Sequence, residues 1–255
     1  MTQDGLDKAF HSADPDVRRR AVQGMSLRPQ GTPLKQIVDA LSDPDWRVRR
    51  EAISLAAQSA ERDALIDSLL ARLVETDNVG LRNAAVEVLG MVAQGKAHKF
   101  ADALARAGGG AQKFVVEAMG KTQDPGMIDH LEPLVRGPDG NVAAAAVEAL
   151  VCIGGGRAEG LLKERLSTAN LFLRISILEG LTRLGTRLTW SELEPAVDDA
   201  IVRRISAELL GRTGEPEALE FLLGLAADPS PQTSSAALRA IAVLAREIRS
   251  DRSSR

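Results

Sequence analysis

Apolar residues recur along this chain in blocks about 31 residues apart. In five blocks an apolar residue precedes an Arg, and small or apolar residues follow three and seven positions after it. These five centres are Arg18, Arg49, Arg82, Arg174 and Arg203. Three more blocks keep the apolar spacing without the Arg and centre on Gln112, Ala143 and Ser234. Successive centres lie 31, 33, 30, 31, 31, 29 and 31 residues apart, so the chain contains eight copies of one repeat.

Each repeat contains two helical segments. The second begins at an Asp or Asn that can cap a helix by accepting hydrogen bonds from its first turn. The candidate caps are Asp45, Asn78, Asn141 and Asn170. The first segment lies upstream, as in LKQIVDALS, and turns containing Pro or Gly separate the segments. Because short hairpins bury their apolar faces only when stacked, the pattern predicts an all-α fold, an α-solenoid of about eight helical hairpins.

Composition supports this prediction and excludes several classes of protein. The chain has 38 Ala, 33 Leu and no Tyr, which favours helices over strands. A formal net charge of −3 argues against a strongly basic nucleic-acid or membrane-surface protein. The single cysteine, Cys152, excludes an intramolecular disulfide and a cysteine zinc site, and its apolar neighbours predict a small core residue. Without a signal peptide or a long apolar run, we expect no membrane association and a cytoplasmic location.

The repeats resemble HEAT repeats, and more closely the short bacterial variant named after phycobilisome lyases. The shared pattern is Asp-Pro-x-Val-Arg-x-x-Ala with a later Leu-Gly, nearly intact in Val48-Arg49-Arg-Glu-Ala52 and in Leu81-Arg82-Asn-Ala-Ala85-Val-Glu-Val-Leu89-Gly90. The resemblance extends over residues 2–248. It implies a single right-handed superhelical domain over residues 1–249. The charged segment EIRSDRSSR at the end of the sequence predicts a disordered polar tail at 250–255.

The recurring Arg has two interpretations, a phosphate-binding ladder or a packing contact. The resemblance favours packing, because HEAT repeats pair this Arg with an Asp near the start of the preceding helix. The candidate partners are Asp14, Asp45, Asp77 and Asp198. The contact should be missing where the centre is Gln112, Ala143 or Ser234.

A column of carboxylates follows the centres by five residues, from Glu87 through Glu208. In HEAT-like solenoids the second helix lines the concave side, so the resemblance implies an acidic stripe there; the alternative is a row of solvated helix positions. Cations lie one residue after several centres, one helical turn from this column. We therefore expect the concave face to bind a partner through these two columns. The predicted partner-binding residues are Arg19, Arg50, Lys113, Glu117, Glu148, Glu179, Arg204 and Glu208.

Trp46 and Trp190 are the only tryptophans, and both lie at predicted helix starts. Each is either a binding hot spot at the edge of a hairpin or a packing residue over the adjacent repeat. Thr189 and Glu192 have the spacing of a capping box around Trp190.

No pattern for catalysis, metal binding or a cofactor is present. The three histidines are not in HxxH or HExxH spacing, and the Gly triplets lack the Gly-Lys-Ser/Thr of a phosphate loop. No Gly-x-Ser-x-Gly elbow occurs either. We therefore predict no catalytic residue, no metal and no cofactor.

Three functions remain in view. The favoured one is a non-catalytic scaffold or adaptor that binds another protein, and the resemblance suggests a bacterial regulatory or signalling complex. The second is an enzyme subunit resembling bilin lyases or chaperones, which a content of two Trp, five Phe and no Tyr disfavours. The third is a nucleic-acid binder resembling HEAT-like alkylpurine DNA glycosylases, which the net charge and the Glu column disfavour.

Overall fold

The computed structural model describes residues 3–27, 32–75, 77–197 and 201–253. Within these ranges the chain forms helices and turns and no strand. The α-helices are α1 (Gln3–Phe10), α2 (Pro15–Ser26), α3 (Leu34–Leu41), α4 (Trp46–Ala56), α5 (Arg62–Glu75), α6 (Val79–Val92), α7 (Ala97–Arg106), α8 (Gln112–Lys121), α9 (Ile128–Val135), α10 (Gly140–Ile153), α11 (Gly155–Leu166), α12 (Leu171–Leu184), α13 (Trp190–Leu193), α14 (Arg203–Leu210), α15 (Glu217–Ala226) and α16 (Pro231–Ser253).

The chain divides into two compact units, each built from stacked hairpins. Unit 1 comprises residues 1–134 and unit 2 residues 135–255, whereas the sequence predicts one continuous domain. In unit 1, α1, α3, α5 and α7 each pack on the helix that follows, and α2, α4, α6 and α8 stack in that order. In unit 2, α11, α13 and α15 pack on the helix that follows, and α10, α12, α14 and α16 stack in order. The predicted all-α solenoid of helical hairpins is confirmed, and every predicted centre lies in an even-numbered helix.

Polar caps start most of the second helices. The side chains of Asp45, Asn78 and Asn170 accept hydrogen bonds from the first turns of α4, α6 and α12, as predicted. The prediction for Asn141 is wrong. The cap lies two residues earlier: α10 begins at Gly140, and Asp139 caps it by accepting from the N–H groups of residues 141 and 142.

Small residues line the contacts between second helices. Ala21, Ala52 and Ala85, each three positions after a centre, are fully buried. In unit 2 the close approach extends to the backbone, since a Cβ added at Gly211 would lie 2.9 Å from the Cα of Ala240. The Ala-rich composition thus serves close stacking of the helices.

The last helix is longer than the sequence suggests. Helix α16 continues to Ser253, so residues 250–253 are helical where the sequence predicts a disordered tail at 250–255. The segment that follows Pro231 contains no Gly and no further Pro, so nothing in it breaks the helix before Ser253.

Candidate functional site

A groove crosses three successive second helices of unit 2, α10, α12 and α14. It encloses about 350 Å³, and we call it the unit 2 groove. Its lining residues are Glu148, Glu179, Thr182, Arg183, Arg204, Ile205 and Glu208. Four of the eight predicted partner-binding residues, Glu148, Glu179, Arg204 and Glu208, are therefore brought together here.

Helical periodicity explains why the Glu column faces solvent. On α12 the neighbouring residues Ile177, Leu178 and Leu181 are buried against adjacent helices, which turns Glu179 outwards. The cap at Asn170 sets the start of this helix by accepting a hydrogen bond from the Leu173 N–H at 3.0 Å. The same register exposes Glu148 on α10.

Two ion pairs lie in the unit 2 groove, one between α12 and α10 and one within α14. The Nη2 of Arg183 donates to both carboxylate oxygens of Glu148 at 2.7 Å, and this hydrogen bond raises the pKa of Arg183. Arg204 Nη1 lies 3.9 Å from Glu208 Oε1. About half of each side chain in the Arg183–Glu148 pair is exposed, so water screens the attraction and the pair contributes little to folding. These charges can be redirected to a partner at small cost.

A second groove lies between α6 and α8 of unit 1. It encloses about 430 Å³, and we call it the unit 1 groove. Its lining residues are Asn83, Val86, Glu87, Gly90, Met91, Glu117 and Lys121. Glu117 is the predicted site residue in this set. The groove combines carboxylates, an ammonium group and the exposed thioether of Met91.

The remaining predicted cations do not line either groove. Arg19 Nη1 lies 3.8 Å from Glu51 and its Nε lies 3.7 Å from Asp16, so its charge is already engaged by carboxylates. Arg50 is exposed on α4. Lys113 is also exposed, with its Nζ 4.8 Å from the centroid of the neighbouring Phe114 ring.

The two tryptophans have different surroundings. Trp190 starts α13 and lies half-buried with its ring 5.6 Å from that of Phe221 on α15, which is the predicted packing over the adjacent repeat. The capping box of Thr189 and Glu192 is present as predicted. Trp46 starts α4 and is 61% exposed, so its indole remains available for a partner.

The recurring Arg is a packing residue, as predicted, but the prediction of its carboxylate partner is wrong. Arg18 donates from Nε and Nη2 to Asp43 of the next repeat, at 2.7 and 2.9 Å. Asp14 and Asp45 instead cap their own helices. The carboxylate that reaches the Arg comes from the loop six residues before the next centre, because that loop lies beside the start of the preceding second helix.

The other recurring Arg residues make different contacts from one repeat to the next. Arg49 donates to the carbonyls of residues 43 and 44, and its guanidinium lies against Gly80 of the next repeat. Arg82 lies 4.0 Å above the Phe114 ring, as a cation–π contact. Arg174 donates to the carbonyl of Ala169 at 3.2 Å. The predicted partner Asp198 lies outside the described residues.

Some groove residues were not predicted from the sequence. Met91, Lys121 and Arg183 each lie nine positions after a centre, and Cys152 occupies the same position in its repeat. Residues four apart share a helix face, so a column at nine lies beside the Glu column at five. This spacing also explains why Cys152 is exposed and why its prediction as a core residue is wrong.

Other chemistry is limited in the part of the chain that the structure describes. No group of three or more His, Cys, Asp and Glu side chains there is arranged to hold a metal ion. None of the described helices has the length and apolarity that crossing a bilayer requires. Both grooves are open surfaces lined mainly by charged side chains, together with a few apolar ones.

Comparison with known proteins adds a family match. Residues 4–90 and 34–109 match the family model for HEAT repeats. No curated protein shows significant sequence similarity to this chain.

Similar solved structures share little sequence with the chain. The X-ray structure of YibA from Escherichia coli has 15% identity and a TM-score of 0.48, covering 94% of this chain and 92% of its own. Human deoxyhypusine hydroxylase in complex with glycerol has 20% identity and a TM-score of 0.39, covering 95% and 96%. The complex of CpcE and CpcF of phycocyanin lyase from Nostoc sp. PCC7120 has 20% identity and a TM-score of 0.38, covering 96% and 95%.

Proposed function

Because residues 4–109 match the family model for HEAT repeats, we propose that this chain is a non-catalytic scaffold that binds a partner protein in the unit 2 groove. One observation carries the proposal. Three successive second helices present Glu148, Glu179 and Glu208 beside Arg183 and Arg204 in a single open groove. A repeated carboxylate on successive helices forms an extended surface, which suits a polypeptide better than a small molecule.

The charges of the unit 2 groove indicate the kind of segment that fits it. Three carboxylates and two guanidinium groups line the groove, so its own charge is −1. A partner segment with a small excess of Lys or Arg complements this surface, and it can exchange ion pairs with the half-exposed Arg183–Glu148 pair. The Thr182 hydroxyl donates to the carbonyl of Leu178 within α12, so it can accept a hydrogen bond from a partner but has no proton left to donate.

The carboxylates of the groove support binding more than catalysis. Two carboxylates can act as a separate acid and base only when their environments differ enough to move their pKa values apart. Glu148 and Glu179 are both exposed at the same position of their repeats, so neither is set apart as an acid or a base.

Charge reversal tests the proposal. The variant E148K/E179K/E208K, used as bait in lysate from cells of the source organism, should lose proteins that the wild-type chain retains, as measured by quantitative mass spectrometry. The loss should shrink at high salt, because exposed charges act over a screened distance. Circular dichroism and thermal unfolding should be nearly unchanged, since Glu148 and Glu179 are exposed and the side chain of Glu208 is 42% exposed.

A matched variant controls for net charge. E61K/E75K/E194K makes the same change in charge at exposed carboxylates outside both grooves. It should retain the wild-type set of proteins. If both triple variants lose the same proteins, or if the groove variant loses none, partner binding in the unit 2 groove is refuted.

A further inference from the structure

Two positions on each second helix face the next second helix in the stack. In unit 1, a Cβ added at Gly90, eight residues after its centre, would lie 2.8 Å from the Cβ of Lys121 on α8. In unit 2, Gly211 has the same position and meets Ala240 on α16. Residues four apart share a helix face, so positions four and eight after a centre together form the stacking side.

The stacking side is covered on every second helix before α16, including α8 at the end of unit 1, where Val116 is buried. Six second helices are followed by another in the same unit, and their residues at position four are buried, apart from a half-buried Ile53. These residues are Val22, Ile53, Val86, Val147, Leu178 and Ala207. The equivalent residue of α16 is Leu238, which is 59% exposed. Ala242, at position eight of α16, is exposed as well.

The first helix of the same hairpin, α15, also has an exposed apolar residue on its stacking side. Leu223 on α15 lies five residues before Asp228, as Val38 on α3 lies five residues before Asp43. Val38 is 6% exposed, whereas Leu223 is 56% exposed. The hairpin of α15 and α16 therefore shows an apolar stacking surface that no described residue covers. We call Leu223, Leu238 and Ala242 the terminal face.

Charge along α16 distinguishes this face from the grooves. Arg239 occupies the position at which five other repeats carry Glu, and Arg246 lies seven residues further along the same edge of the helix. Both Arg residues are exposed. The neighbouring helix α15 exposes a carboxylate, Glu220, so the two exposed Arg residues form a cationic edge on α16 and not on α15.

We propose that the terminal face binds an amphipathic helix of a partner protein, with its apolar side on Leu223 and Leu238 and its acidic side along Arg239 and Arg246. The apolar surface supplies the contact area, and the Arg edge selects acidic residues and fixes the direction of the bound helix. This surface is separate from the unit 2 groove, and the proposal does not depend on the function proposed for that groove.

Stacking by a second copy of the chain fits this face less well. Residues two positions after a centre face the preceding second helix, and Ala84, Ile205 and Ala236 are buried there. At the start of the stack this position is Arg20, which is exposed on α2. Head-to-tail stacking of two copies would bury Arg20 against the apolar terminal face, a costly arrangement for an unpaired charge.

Two labelled synthetic peptides test the proposal with the full-length chain. Both are amphipathic helices of about 20 residues with Leu along one side, and they differ in carrying Glu or Lys on the flanks. By fluorescence anisotropy the Glu peptide should bind at least about tenfold more tightly than the Lys peptide. L238E should weaken its binding at least about tenfold, and R239E/R246E should reverse the preference between peptides.

M91E is the control, because Met91 is a similarly exposed apolar residue in the unit 1 groove. It should bind the Glu peptide like wild type, and unchanged circular dichroism of L238E should show that this variant folds. Equal binding of both peptides, or wild-type binding by L238E, would overturn the proposal. So would a wild-type dimer in sedimentation that L238E converts to monomer, or binding of wild type to anionic phospholipid vesicles in place of the Glu peptide.

Discussion

Each unit contains an Arg–Asp ion pair at the same two repeat positions, but the pair in unit 1 is more deeply buried than the pair in unit 2. In unit 1, Arg18 donates two hydrogen bonds to Asp43, and the side chains are 14% and 7% exposed. In unit 2, Arg203 Nη1 lies 3.5 Å from Asp228, and the side chains are 36% and 14% exposed. Both Asp residues stand six positions before the next centre.

This difference shows that the same pair of residues in two repeats need not contribute the same free energy to folding. A bidentate, nearly dry ion pair loses much when one partner is removed, because the other charge is left desolvated. A longer and wetter pair loses little, because water already solvates both groups. The hydrogen bonds that Arg18 donates to Asp43 also raise the pKa of this guanidinium.

The largest expected effect separates these two pairs. D43A should lower the free energy of unfolding by about 3 kcal/mol, because it strands the Arg18 charge. D228A should lower it by less than about 1 kcal/mol. Each Asp also accepts a hydrogen bond at 2.8 Å from the N–H two residues later, so this loss is common to both variants. Urea unfolding followed by circular dichroism measures both, and equal losses would contradict the difference in depth.

The next effect tests a feature that the units share, the close approach at position eight. G90A and G211A should each destabilise the chain by about 2 kcal/mol, because the new methyl group overlaps atoms of the adjacent helix. G224A is the control, since a Cβ there meets nothing within 4 Å and helix propensity favours Ala by about 1 kcal/mol. A gain in stability for G211A would show that the helices can separate without cost.

A smaller effect concerns a position where unit 2 departs from unit 1. Ser206 is fully buried at the position held by Ala21, Ala52 and Ala85, and its Oγ has no hydrogen-bond partner among the described residues. S206A should raise the free energy of unfolding by about 1 kcal/mol, because an unpaired buried hydroxyl is removed. A85S in unit 1 should have the opposite sign. Thermal unfolding of both variants measures these changes. Destabilisation by S206A would show that the Ser206 hydroxyl forms a hydrogen bond in solution.

The smallest effect is a pH dependence at the Asp45 cap of unit 1. Hydrogen bonds from the Arg47 side chain and N–H lower the pKa of Asp45 from 3.8 to about 2. Because the folded pKa is depressed, the stabilisation is complete above about pH 4 and is lost as the pH falls towards 2. Asn170, which caps α12 in unit 2, does not titrate. NMR titration of the Asp45 carboxyl should show this pKa, and R47A should return it towards its ordinary value; an unchanged pKa in R47A would exclude Arg47 as the cause.

Much of the candidate site was predictable from repeat positions. Glu117, Glu148, Glu179 and Glu208 line grooves because a column five residues after the centres points away from the buried positions. The column at nine, with Met91, Lys121 and Arg183, follows from the same periodicity but has mixed chemistry, so no shared residue type marks it. Arg19, Arg50 and Lys113 were grouped with the others because they share a register, yet a register does not specify what a long side chain contacts.

The amino-acid pattern alone predicts the repeat length, the pairing of helices into hairpins, most of the caps and the columns that face the core. These features depend on local periodicity and on hydrogen bonds within a few residues of a helix start. Helix packing in three dimensions is needed to see that Arg18 reaches Asp43, that Trp190 packs on Phe221 and that the chain divides after residue 134. Those outcomes depend on how far each helix is shifted and rotated against its neighbour, and on how much water that packing leaves around each charge.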